Sequence, residues 1–114
     1  VTLAYDEQLA GRIRALLAGR PGLTEQRMFG GLAFLLEGAM AIAASGRGGI
    51  LVRADPAESA ELVATTHATP MEMRGRTMAG WLRVAAADVA DDAALAFWVE
   101  RGVGYASSLA PKKA

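Results

Sequence analysis

Between Pro70 and Trp81 lie three methionines (Met71, Met73, Met78), two arginines (Arg74, Arg76) and a tryptophan, all within twelve residues. Methionine adapts its shape, arginine donates through a planar fork and tryptophan offers a large flat surface, which together make the chemistry of an adaptable interface. A plainer reading competes, in which the methionines plug the core and the arginines are solvated. A third uses Arg74, Arg76 and the later Arg83 to hold a phosphate or carboxylate, with Gly75 lending its backbone and His67 serving as acid or base.

The other reactive side chains form no catalytic set. His67 stands between Thr66 and Ala68 with no acid beside it, the setting of a surface or turn histidine. The paired acids Asp6-Glu7 and Asp91-Asp92 fall where helices begin, and there they complement the helix dipole. Ser45, Ser59, Ser107 and Ser108 lack the context of a nucleophile elbow. Gly102-Val-Gly104-Tyr-Ala-Ser107 looks like a shortened dinucleotide fingerprint, but it falls late in an amphipathic helix, where no strand-to-helix turn cradles a phosphate. Gly46-Arg47-Gly48-Gly49 could form an anion-binding nest beside Arg47, and reads first as a glycine-rich hairpin loop.

Composition closes off further classes. Without cysteine there is no zinc ribbon, thiolate nucleophile, CxxC pair or disulfide framework, and a single histidine excludes every site that needs two imidazoles. No metal or other cofactor is expected. Twelve basic residues against twelve acidic ones argue against a dedicated nucleic-acid binder, leaving at most a local patch. The 114 residues suit one domain, 1–114, and the 53% hydrophobic content is discounted by 25 alanines, which bury little each. The chain opens without the basic and apolar regions of a signal peptide. Its most apolar stretch, Met28 to Ala44, contains Glu37 and three glycines and falls short of the ~20 residues that span a bilayer. A cytoplasmic protein without membrane association is the expectation.

Several elements must position these residues. Leu9, Ile13, Leu16 and Leu17 recur at helical spacing from Asp6 to Ala18, and Gly19 with Pro21 stops the helix. From Thr24 to Ala54 come short apolar runs split by glycines, which predict neighbouring antiparallel strands: Thr24–Phe29, Leu32–Leu36, Ala39–Ala43 and Ile50–Arg53. Gly30 and Gly31 join the first two, so at least one should take positive φ or admit a close backbone approach. Glu37-Gly38 is a poor tight-turn pair and suggests a longer loop. Asp55-Pro56-Ala57-Glu58 carries a cap, a first-turn proline and a capping-box acid for a helix to about Thr65. Thr66 to Gly80 has neither period and reads as an irregular functional loop. Trp81–Val84 is one more strand, in which Trp81 should bury its ring. A last helix starts at Asp91, with Leu95, Trp98, Val99, Gly102, Ala106 and Leu109 in one stripe, before a frayed Pro111-Lys-Lys end. The fold class is therefore α+β, an antiparallel sheet of about four to five strands with helices on one face.

Met28-Phe29-Gly30-Gly31-Leu32-Ala33-Phe34, Leu51-Val52-Arg53, Pro70-Met71-Glu72-Met73, Gly75-Arg76 with Met78, and Gly80-Trp81-Leu82-Arg83-Val84, with Trp98-Val99 near the end, resemble the N-terminal domain of TfoX/Sxy-type proteins. The likeness runs from about Tyr5 to Pro111. It implies a small secretion-chaperone-like α+β domain, with Met28, Phe29, Gly30, Gly31, Gly75 and Gly80 as structural motif positions. It also implies a link to competence for DNA uptake, where the founding members promote transcription together with a cyclic-AMP receptor protein. Those regulators continue into a C-terminal domain, so the expectation here is a single-domain relative. The family brings no catalytic residues. The expected function is a non-enzymatic, regulatory interaction module presenting Met71, Met73, Arg74, Arg76, Met78 and Trp81 to a protein partner or a second copy of itself. The alternative is a small-anion binder or enzyme built on Arg74, Arg76, Arg83 and His67. Direct DNA binding is disfavoured by the neutral charge and the absence of a helix-turn-helix signal.

Overall fold

Six strands form one open antiparallel sheet in the order β1-β2-β3-β4-β6-β5, and the helices lie on one face of it. The computed structural model describes residues 5–28 and 30–109. The elements are α1 (Glu7–Leu17), β1 (Leu23–Met28), β2 (Gly31–Leu36), β3 (Ala39–Ala44), β4 (Ile50–Arg53), α2 (Pro56–Thr65), β5 (Thr69–Met73), β6 (Arg76–Val84), a 3-10 turn (Ala86–Val89) and α3 (Asp92–Leu109). The α+β class holds, with one strand more than the sequence suggested. Phe29 and the Pro111-Lys112-Lys113 end lie outside the described residues.

The helix starts follow from their caps. Asp6 accepts from the amides of Gln8 and Leu9, and Asp55 from that of Ala57 with Pro56 in the first turn. Asp91 accepts from the Ala94 amide at the head of α3. The capping-box role expected of the Glu58 side chain is not seen, because its carboxylate turns instead to Arg101 at 3.4 Å on α3.

Three expectations need correction. Glu37-Gly38 is a two-residue turn after all, with φ of 50° and 85°. Primed turns match the twist of the flanking strands, and that gain outweighs the cost of positive φ at Glu37. Thr66 to Gly80 is not an irregular loop but mostly a hairpin, β5 to β6, closed by Arg74-Gly75 at φ 55° and 78°. The sequence hid it because a register shift between Pro70 and Met71 breaks the alternation and Gly80, at φ 84°, interrupts β6. Trp81 therefore lies inside β6, and it is half-buried rather than buried.

Two apolar clusters separate on the two faces of the sheet. The larger lies under the helices and joins Ile13 and Leu17 of α1, Leu62 of α2, and Leu95, Trp98 and Val99 of α3 to Phe34, Ile42, Val52 and Leu82 from the strands. Fully burying one such side chain contributes about 1.5–3 kcal/mol. The smaller is made of strand residues alone: Ala33, Leu35, Met40, Ala43, Leu51 and Met71, edged by the half-buried Met28, Met78 and Trp81. Because strand side chains alternate between faces, the same strands supply both clusters.

Candidate functional site

A pocket of about 340 Å³ opens on the helix-free side, where the ends of β1, β3 and β6 meet the β5–β6 hairpin. Its lower wall is apolar, with Met28, Ala43, Leu51 and Met71, and its polar groups are Ser45, Arg47, Arg74, Arg83 and Glu72. Ser45 is the one polar side chain buried among the described residues, at 8% exposure. Its hydroxyl oxygen accepts from the Arg47 amide at 3.1 Å and from Arg83 Nη1 at 3.2 Å. Burial first, and the neighbouring Arg47 charge second, push the Arg83 guanidinium below its usual pKa. It stays cationic all the same, as arginines in proteins do.

Glycines place the loop that carries Arg47. A Cβ on Gly31 would overlap the Ala44 carbonyl oxygen and stand 3.0 Å from the Gly46 amide nitrogen. One on Gly46 would overlap the Gly30 carbonyl group, and one on Gly49 would overlap the Val84 carbonyl oxygen. The Ser45–Gly49 loop is thus pressed backbone to backbone against the β1–β2 turn on one side and the end of β6 on the other. Within the loop, Ser45 N–H donates to the Gly49 carbonyl at 3.0 Å and Gly48 N–H to the Ser45 carbonyl at 3.1 Å. Gly30 takes φ 76° while Gly31 makes the close approach, so the pair does both things expected of it.

Ion pairs divide the arginines. Arg12 pairs with Asp92 at 3.0 Å, Arg14 with Glu25 at 2.6 Å, Arg20 with Glu100 at 2.7 Å and Arg101 with Glu58 at 3.4 Å, each on a helix or reaching one. Among the described residues Arg47, Arg74, Arg76 and Arg83 enter no ion pair. Arg53 is held otherwise, with its guanidinium 4.5 Å from the Trp81 ring centroid and 5.5 Å from that of Tyr105.

The residues expected to act together are only partly brought together. Arg74 and Arg83 share the pocket, whereas Arg76 is exposed at the start of β6 outside its lining. His67 is exposed and lines a different depression, with Thr66, Asp88, Phe97 and Trp98. Met71 is buried in the strand-only cluster, Met78 and Trp81 lie at its edge, and Met73 stands opposite Arg76 in the hairpin register. Gly75 turns the hairpin. Gly80 ties β6 to α2, receiving the Ala54 amide on its carbonyl at 2.7 Å and donating to Ser59 Oγ at 3.1 Å. Sequence reasoning passed over Ser45 and gave Arg47 only a passing role. The signal was in the charge pattern, since residues 38–54 and 69–84 hold five arginines and one acid in a chain of zero net charge.

A family model described as the TfoX N-terminal domain matches residues 15–106. The chain belongs to this family. No curated protein and no solved structure matches it significantly. In this TfoX N-terminal domain the glycine motif after β1 serves the helix-free side, while the Gly80-Trp81 motif in β6 joins both sides, Gly80 meeting α2 and Trp81 edging the strand-only cluster. The first seats the Arg47 loop against the β1–β2 turn. No helix among the described residues is long and apolar enough to cross a membrane.

Proposed function

We propose that this domain is a non-enzymatic, regulatory interaction module, linked to transcription or competence, that offers its helix-free sheet face and β5–β6 hairpin to a protein partner with an acidic surface. The observation that carries the reading is a half-buried apolar edge, Met28, Met78 and Trp81, beside arginines that enter no ion pair among the described residues. The cluster itself is buried, and its half-buried edge, Met28, Met78 and Trp81, supplies the adaptable apolar contacts a partner can reach. Arg74 and Arg76 at the hairpin turn supply steering and orientation toward carboxylates. Family membership supports the regulatory link. The separation of His67 from the arginine pocket supports binding over catalysis.

The reading is tested with the partner purified from the native cell and its affinity measured against variants. Arg74→Glu with Arg76→Glu should weaken binding at least about tenfold, since arginines at interface centres are frequent hot spots. Arg12→Glu on the helix side should change it less than about twofold. Equal losses from both variants, or recovery of nucleic acid in place of a protein, would overturn it.

A further inference from the structure

We propose that the pocket between the Ser45–Gly49 loop and the β5–β6 hairpin is a binding site for a small organic oxyanion, a phosphate or carboxylate head on an apolar body. This does not rest on the partner reading, because the argument concerns the donor inventory of the pocket itself. A serine hydroxyl has two acceptor sites and one hydrogen. Both acceptor sites on Ser45 are taken by the Arg47 amide and Arg83 Nη1, so its hydrogen is left to donate. Arg83 bonds Ser45 directly, and Arg47 and Arg74 line the same pocket, none of the three in an ion pair among the described residues. Every polar group of the lining side chains except the Glu72 carboxylate is therefore a donor or a cation. A group that only accepts and carries negative charge complements that set, and paired arginines match the geometry of phosphate and carboxylate.

Glycine contacts in which no side chain fits press the backbone of the loop carrying Arg47 against the end of β6, so that Arg47 and Arg83 line one pocket and their like charges act on each other. An anion there would relieve the repulsion. The opposite wall, Met28, Leu51 and Met71, is apolar, so a bare ion fills only half of the recognition. At about 340 Å³ the pocket lies at the small end of ligand sites, which suits a single ring or a short chain bearing one charged head.

The experiment titrates the 15N-labelled chain with phenyl phosphate, benzoate and inorganic phosphate, following the Ser45–Gly49 amides and the Arg83 side-chain Nε–H by NMR. Saturable shifts confined to these groups are expected with phenyl phosphate or benzoate, whichever head the site prefers, and at least about tenfold weaker binding of inorganic phosphate. Arg47→Gln and Arg83→Gln should each weaken the organic probe about tenfold or more, the loss of one charge-assisted contact. Ser45→Ala, which keeps all charges, should weaken it measurably, and Arg12→Gln on the helix side should not. Chemical shifts elsewhere show whether each variant is folded, and if Arg83→Gln is not, Arg47→Gln decides alone. No saturable shift with either organic probe, shifts scattered over the surface, or equal affinity for inorganic phosphate would overturn the proposal.

Discussion

Gly102 and Gly104 lie two residues apart in α3, and replacing each with alanine should move stability in opposite directions. In an open helical position alanine is better than glycine by about 0.5–1 kcal/mol, because it loses less backbone entropy. Gly104 is exposed with nothing within 4 Å of an added Cβ, so Gly104→Ala should stabilise by about that amount. Gly102 is buried where α3 crosses β3. An added Cβ would overlap the Ala41 carbonyl oxygen and stand 2.9 Å from its carbon. Ordinary contact needs roughly 3.5–4 Å, so the helix must withdraw by about 1 Å, and such a gap forfeits a quarter to a half of each dispersion contact along the seam. Trp98, Val99, Val103 and Ala106 share that seam. The overpacking cost is about 2–3 kcal/mol, and the helix-propensity gain of about 1 kcal/mol leaves Gly102→Ala less stable by about 1–2 kcal/mol. Urea unfolding of the two variants beside the parent measures this directly, with unchanged m-values and midpoints displaced to either side of the parent's. A Gly102→Ala midpoint at or above that of Gly104→Ala would refute the close-approach argument.

Three further outcomes follow from the same structure. Gly31→Ala should destabilise by more than about 2 kcal/mol, because its Cβ meets backbone that cannot yield, whereas Gly30→Asn should cost less than about 1 kcal/mol, since asparagine tolerates φ 76° and the space is open; urea midpoints rank them. Trp81→Ala should cost about 2–3 kcal/mol, below the toll for a fully buried tryptophan, because the ring is half-buried and stacked on Arg53, while Arg76→Ala, at an exposed position with no ion pair among the described residues, should leave the thermal melt unchanged. Glu25 is held below the usual glutamate pKa by its hydrogen bond to Arg14. Its folded value is depressed, so the contribution is present above the ordinary carboxylate range and lost as pH falls through the folded pKa; the urea midpoint of the parent should exceed that of Glu25→Gln at neutral pH and converge with it in acid.

The helices were legible because their signals are local. Asp6, Asp55 with Pro56, and Asp91 each mark a start within four residues of sequence, and the Leu95 to Ala106 stripe marks the long face. Strands β1 to β4 were legible because glycines punctuate apolar runs. The β5–β6 hairpin was not, for its signal depends on pairing. Pro70 beside a register shift, Arg74 in a left-handed turn and Gly80 kinking β6 each look like loop residues until the partner strand is in place. The pocket was half legible for a related reason. Arg74 and Arg83 drew notice by type, but Ser45 and Arg47 gain meaning only when glycine contacts between distant turns bring them beside Arg83. Net charge concealed the rest, since it averages ion-paired arginines on the helix side with the others on the sheet.

Arginine-specific labelling with phenylglyoxal, on the domain alone and with its protein partner bound, tests the central claim most directly. The ten arginines report on both sides of the molecule at once, and mass spectrometry reads each. The account predicts that the partner protects Arg74 and Arg76, with Arg47 and Arg83 behind them, and leaves Arg12, Arg14 and Arg101 labelled as in the free domain. Protection of Arg12, Arg14 or Arg101 with the hairpin arginines still reactive would contradict it, placing the binding surface on the helices.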